Sequence, residues 1–430
     1  MPRDSTTKTP TFVWWLIAFM WVAYFLNYCD RQAIFSMKTA VSKDLQMSDE
    51  LLGLIGAIFL WVYGIGCPIA GQLADRVAKK KLVVWSLVIW SIVTLATGLS
   101  TSAWMLLVMR GAMGISESLF MPAAIALTAN ATPPAKRSFA VSLLTTAQIA
   151  GSAAGGIFGG WMAEQGMWRT AFFALGIIGV VYAVPYLMFL SKVQEDTELE
   201  TKSSNQWLTI FSLARVPTFI LLCLTFPIFV FGLWMLYSWL PKFLEDKFMI
   251  GSTEAAFYTS MYMQAATLVG LFSGGMMADW LFKFTKASRM WLLVGSFVLS
   301  APCIYGIGNS TTLSMTCVCM VGFGLFGGLL MGNIFPAAFE VVSADARASA
   351  VGILNFFGAI LSGFAPLVVG TWRESIGMEK MLAVTSVAYW IAGAILILTI
   401  ATIYKKDWVR VHPQQLWVAK KSGSHCIESR

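Results

Sequence analysis

Long apolar runs separated by short clusters of charge, Gly, Pro or Asn dominate the chain. Within the runs, polar residues do not alternate with period two. Twelve runs stand out, near 12–36, 51–73, 82–100, 102–129, 138–163, 168–190, 217–244, 254–281, 289–308, 312–338, 347–373 and 381–404. A helix crosses the hydrocarbon layer with about 20 apolar residues, so each run is long enough to span it. The run at 381–404 carries no charge at all and follows Lys380. Continuous rather than alternating patterning excludes a strand barrel. The pattern predicts an all-α membrane protein with twelve transmembrane helices. The first run is too long for a cleavable signal and lacks a small-residue cleavage site, so it is read as a retained first span.

Composition points the same way. Of 430 residues, 57% are apolar and only 12% charged, whereas a soluble domain is about a quarter charged. The net charge of +8 is a topology signal. Most of the 30 Lys and Arg fall in segments on the side of the N-terminus: Arg3 and Lys8, Arg76 to Lys81, Lys136 and Arg137, Lys192 to Arg215, Lys283 to Arg289, Arg347, and the tail. A bias of roughly three to one predicts that both termini are cytoplasmic, and it needs no nucleic-acid partner. Short loops suggest a bacterial inner-membrane protein, expected to be a monomer surrounded by membrane lipid.

Several chemistries drop out. The seven cysteines (Cys29, Cys67, Cys223, Cys303, Cys317, Cys319 and Cys426) form no C-x-x-C pair, and buried thiols in a membrane ordinarily just pack. Both histidines, His412 and His425, follow the last span. No zinc motif or Ser-His-Asp triad is therefore available in the membrane, and no metal is expected. A phosphate-binding Gly-Lys pair never occurs, which argues against nucleotide hydrolysis. The expectation is a protein that is no enzyme and carries no cofactor.

The longest polar stretch, 191–216, contains Glu195, Asp196, Glu198, Glu200 and a Ser-Ser-Asn run and reads as a cytoplasmic linker. It divides the chain into an N-terminal six-helix bundle at 1–190 and a C-terminal one at 217–404, with a cytoplasmic tail at 405–430. The halves echo each other. Gly71 to Asp75 closes span two as Gly275 to Asp279 closes span eight; Pro122-Ala123-Ala124 recurs as Pro336-Ala337-Ala338; Arg137 and Arg347 open spans five and eleven. Each match links span n with span n+6. Parallel repeats of six helices are a transporter architecture with its binding site at the midplane.

On these residues a family becomes visible. Gly71-x-x-x-Asp75-Arg76 with Lys79 to Lys81 resembles the loop signature of the major facilitator superfamily, and Arg110-x-x-x-Gly114 resembles its second motif. The resemblance covers essentially the whole chain and implies two pseudo-symmetric six-helix bundles. Physically, the loop motif reads as a gate latch: Gly71 permits close helix approach, and Asp75 can pair with basic groups such as Arg76. The ordinary alternative is a helix-capping loop. Asp279 repeats the acid, but Trp280 stands where the first copy has Arg76, so the second latch is expected to be weaker.

Four charges lie where lipid should exclude them: Asp30 and Arg31 late in span one, Arg110 and Glu117 in span four. Each costs roughly 2.5–3.5 kcal/mol at a span centre. Two acids and two bases allow mutual neutralisation, and the spacing suggests crossed pairs, Asp30 with Arg110 and Arg31 with Glu117. A static network fixing helix packing is the plain reading. A proton-controlled switch is the sharper one, because apolar residues would serve packing at lower cost. Around these charges Asn27, Tyr63, Gln148, Tyr237, Trp239 and Asn355 offer amide, hydroxyl and indole groups of the kind that hold a polyhydroxylated ligand, although a lone aromatic in a membrane helix ordinarily packs.

Asn27-Tyr28-Cys29-Asp30-Arg31 is similar to the span-one signature of the anion:cation symporters, which include sugar-acid/proton symporters of the galactonate type and sialin. Arg110-x-x-x-Gly114-x-x-Glu117 with Pro122 resembles their span-four motif. The resemblance implies that Asp30 and Glu117 are the protonatable carboxylates, with Arg110 their partner. It also implies that Arg31 is the substrate-carboxylate ligand and that Tyr63, Gln148 and Asn355 are pocket residues. The expected function is proton-coupled symport of a small organic anion, an aldonate, uronate or aldarate, by alternating access. The competing resemblance is to spinster-like transporters of lipids or amphiphiles, or drug transporters of the same fold, which share an Asn-x-x-Asp-Arg signature.

Overall fold

The computed structural model describes residues 11–132, 137–191, 212–343 and 346–413, and those residues contain helices and no strand. The first half comprises α1 (Thr11–Ser36), a short α2 (Lys38–Leu45), α3 (Asp49–Arg76), α4 (Lys79–Gly98), α5 (Ala103–Ser118), α6 (Phe120–Ala131), α7 (Arg137–Glu164) and α8 (Trp168–Leu190). The second comprises α9 (Pro217–Phe248), α10 (Ser252–Leu281), α11 (Ser288–Asn309), α12 (Leu313–Phe339), α13 (Arg347–Ile376) and α14 (Met378–Thr399). A π-turn at Ile400–Tyr404 then leads into α15 (Lys405–Val411).

All twelve predicted spans lie on helices. Among the described residues, nine helices are long and apolar enough to cross a membrane by themselves. The other three predicted spans differ for identifiable reasons. The run at 102–129 is interrupted at Leu119, between α5 and α6. Pro122 has no N–H to give the Ser118 carbonyl, so the helical hydrogen-bond ladder lacks that rung there. Helices α7 and α10 are full-length, with 28 and 30 residues; the Gly, Ser and Thr content of α10 dilutes its apolar signal, whereas part of α7 lies outside the residues whose side chains are described. Most of the linker predicted at 191–216 lies outside the described residues. The predicted tail begins as α15, whose Trp408 and Asp407 are buried. Asp407 accepts the Thr218 N–H (2.9 Å), capping the start of α9.

Small residues set the packing. Gly151, Gly155 and Gly159 form a stripe on α7 against α1, where an added Cβ would strike the Phe25, Cys29 and Ala33 carbonyls. Helix α1 therefore lies backbone-close to α7, which fixes the rotation of Asp30 and Arg31. The second half repeats the device, with Gly324 and Gly328 of α12 against the Met263 and Thr267 carbonyls of α10. Close approach through small residues is how helices associate where lipid removes the hydrophobic drive between them. Large apolar side chains such as Trp85, Trp104, Met188 and Val384 face outward, as a lipid solvent allows.

The halves meet mainly through α3 on α13 and α7 on α10. The repeat converts one interface into the other: spans two and eleven become spans eight and five. Both contacts concentrate at one end, here termed distal, opposite the face where α1 begins. There Arg373 pairs with Asp49 (2.9 Å) and with Asp246. Glu164 accepts the Thr253 N–H (2.9 Å) and hydroxyl (2.6 Å). Thr39 donates to Glu245 (2.8 Å). At the other end, Gly275 and Gly352 have open space where a side chain would be. The molecule is closed distally.

Candidate functional site

The site grows from α1. Asn27, Asp30 and Arg31 are all buried in the first half. The Arg31 guanidinium donates to one carboxylate oxygen of Glu117 through Nε (3.0 Å) and Nη2 (2.5 Å), and through Nη1 to the Tyr28 hydroxyl (3.3 Å). Three rings surround it, Tyr28, Phe59 and Tyr63, with centroids at 4.5, 4.7 and 4.9 Å. Charge-assisted hydrogen bonds and aromatic faces together make burial of this ion pair tolerable.

The second expected pair is not formed. Asp30 accepts instead from the Thr94 hydroxyl on α4 (3.1 Å). Arg110 donates to the Met113 sulfur (3.2 Å) and lies over the Phe59 and Phe35 rings, while its Nε and Nη2 find no hydrogen-bond partner among the described residues. Helix geometry explains the correction. Arg110 and Glu117 are about 10.5 Å apart along α5, whereas Asp30 and Arg31 differ by only about 1.5 Å along α1. Once Arg31 meets Glu117, Asp30 is level with that pair, and Arg110 lies two turns away. The site thus holds one paired base, one unpaired base and a carboxylate bound to a neutral hydroxyl.

The remaining predicted residues separate into three groups. Tyr63 borders Arg31. Gln148 accepts from the Tyr24 hydroxyl (3.2 Å) and extends the polar wall along α7. Across the boundary between halves, the Tyr237 carbonyl accepts from Gln32 (3.3 Å), and its hydroxyl reaches Gln264 (3.5 Å). Asn355 is exposed on α13. It lies one turn before Ala359, which faces Gly64 of α3, so it continues the cross-half face toward the open end. Trp239 stands apart. Fully buried, it donates its indole N–H to the Pro366 carbonyl (2.9 Å) and belongs to the distal closure.

Of the gating residues, Gly71, Asp75 and Arg76 fall at the end of α3, and their side chains lie outside the described residues. Asp279 pairs within its own half with Arg289 (3.6 Å), which also pairs with Glu340 (2.5 Å). The Tyr404 hydroxyl donates to that same glutamate (2.5 Å).

Sequence reading missed Tyr28, Thr94, Gln264 and Lys38. Tyr28 had a signal, since it precedes Arg31 by three residues on the same helix face. Thr94 and Gln264 had none, each being one of several uncharged polar residues on its span.

The sequence pattern of the Major Facilitator Superfamily matches residues 20–366. The hexuronate transporter of Bacillus subtilis (strain 168) is 24% identical over 389 residues, covering 86% of this chain and 92% of that one. The probable galactarate/D-glucarate transporter GudP of the same strain is 24% identical over 416 residues, covering 86% and 89%. The fold matches a crystal structure of a bacterial homolog to the human lysosomal transporter Spinster, inward-facing and unoccupied. That match has a TM-score of 0.80 at 20% identity, over 93% of this chain and 99% of the other. Two of these relatives are named as transporters, and the third as a homolog of a transporter. The chain belongs to the Major Facilitator Superfamily and is a membrane transporter.

Proposed function

We propose that this transporter carries a small sugar acid, of the aldonate, uronate or aldarate class, in symport with protons. The observation that carries the reading is Arg31. It is a buried guanidinium whose carboxylate partner, Glu117, occupies the place a substrate carboxylate would take. Tyr63, Gln148, Tyr237 and Asn355 supply the surrounding hydroxyl and amide groups. Two relatives named for sugar acids support the substrate class.

The cycle follows from charge balance. Protons from outside neutralise Asp30 and Glu117, which frees Arg31 for the substrate carboxylate. The neutralised site lets the halves rock about the bound substrate. On the inner side the carboxylates lose their protons, and Glu117 retakes Arg31 and displaces the substrate. Arg110, buried without a full set of partners, would stabilise the deprotonated carboxylates. In this reading both termini are cytoplasmic, so the present state is open inward. The bundles at 1–190 and 217–404 move as units on the linker, with Asp75, Arg76 and Asp279 latching the inner gate.

The test is a thermal-shift screen of purified protein against aldonates, uronates and aldarates, repeated with Arg31→Ala. Stabilisation by a carboxylated sugar that vanishes in the variant is expected. Transport of an uncharged or cationic amphiphile that tolerates Arg31→Ala would overturn the reading in favour of a spinster-like or drug-transporter role. For coupling, Asp30→Asn with Glu117→Gln should abolish uphill pH-driven uptake in proteoliposomes while exchange survives.

A further inference from the structure

Lys38 follows α1 after one tight turn at Met37, whose N–H reaches the Ile34 carbonyl (3.2 Å). It is only 1% exposed, and its ammonium nitrogen has no hydrogen-bond partner among the described residues. Trp239 of the opposite half covers it, with the ring centroid 3.3 Å from the nitrogen; the Phe35 ring is at 5.7 Å. The charged groups facing it are committed elsewhere. Asp49 of α3 is paired with Arg373 of α13, and Lys242 of α9 with Asp246 (3.6 Å). Burial, reinforced by Arg373 and Lys242 and opposed by Asp49, holds the Lys38 amine well below the usual lysine range.

A buried amine without an acceptor is costly to keep. Its position suggests why it is there. Lys38 rides on the first half and Trp239 on the second, so parting of the halves at the distal end uncovers the amine. Seven residues separate it from Arg31, two turns and about 10.5 Å along nearly continuous helix. An anion entering from the distal side therefore reaches Lys38 before Arg31.

Resting on the sugar-acid reading above, we propose that Lys38 is a carboxylate-docking group of the distal vestibule, uncovered when that end opens and capped by Trp239 when it closes. The indole face takes the place of the departed anion, so the closed end does not retain substrate.

The experiment compares Lys38→Met, Lys38→Gln and Lys38→Arg in right-side-out and inverted membrane vesicles, with radiolabelled D-glucuronate as probe. For both neutral variants the KM is expected to rise about tenfold from one vesicle face only, at low ionic strength, with kcat within about twofold. Lys38→Arg restores the KM. High salt narrows the difference, because an exposed docking charge is screened. An equal rise from both faces, or none from either while Arg31-dependent uptake persists, overturns the docking role and leaves the sugar-acid reading intact. Absence of Arg31-dependent uptake in the unmodified protein overturns both.

Discussion

Replacing Glu117 with Gln mimics its protonated state and tests the swap at the centre of the cycle. Glu117 accepts two hydrogen bonds from Arg31 on a single oxygen. Removing one member of a buried pair costs roughly 3–5 kcal/mol. The amide oxygen of Gln still accepts one neutral bond, and the three rings around Arg31 remain, so about 3 kcal/mol is the expected loss. Spread over a bundle of this size, that lowers the apo melting temperature by roughly 6–12 °C. The substrate carboxylate reverses the deficit. In the unmodified protein it must displace Glu117; in the variant it need not, and about 3 kcal/mol corresponds to roughly a hundredfold tighter Kd. At a ligand concentration equal to the unmodified Kd, stabilisation should therefore grow from about 0.4 to about 2.7 kcal/mol. The assay is thermal unfolding of both proteins in detergent at neutral pH, across a hexuronate titration. An equal or smaller ligand-induced shift in Glu117→Gln would refute the idea that neutralising this carboxylate releases Arg31.

Arg110→Met should raise the melting temperature, because a buried guanidinium with two unpartnered nitrogens gives way to an apolar chain of similar reach, a change worth up to about 4 kcal/mol. The same variant should lose pH-driven uptake; a variant that is less stable or retains uphill uptake contradicts this. Gly155→Leu forces α1 away from α7 at the Cys29 backbone, costing at least about 1–3 kcal/mol. Thermal unfolding and loss of the ligand-induced shift check it. The distal end should close more readily as pH rises. The Lys38 amine lies below its usual range when covered and returns to it when exposed, so protons favour opening and their removal between those two values favours closure. Spin labels at Thr101 and Thr311, on distal loops of the two halves, would report this distance, and Lys38→Met should remove the Lys38 contribution to its pH dependence.

What the sequence reveals follows from what lipid enforces. Every backbone polar group in the bilayer must be satisfied within its own helix, so apolar run length maps almost directly onto helices. The echo of Gly71 to Asp75 in Gly275 to Asp279 marks the repeat that turns the α3–α13 interface into α7–α10. Burial cost likewise singles out Arg31 and Glu117, and the structure joins them. The pairing of Asp30 with Arg110 fails although charge balance and the seven-residue spacing of Arg110 and Glu117 on one helix face both suggest it. Along the axes, residues one apart on α1 cannot both sit level with residues seven apart on α5, and the structure forms the Arg31–Glu117 pair while Asp30 turns to Thr94. Trp239 and Lys38 are different: their meeting depends on how the halves touch distally, and no pattern within one helix encodes that. A lysine beyond the last apolar residue of a span reads as an interfacial charge that reaches for water. Here the second half closes over it. The same residue is therefore unremarkable when the distal end is open and costly when it is shut, and that difference in cost links its proton to the position of the gate.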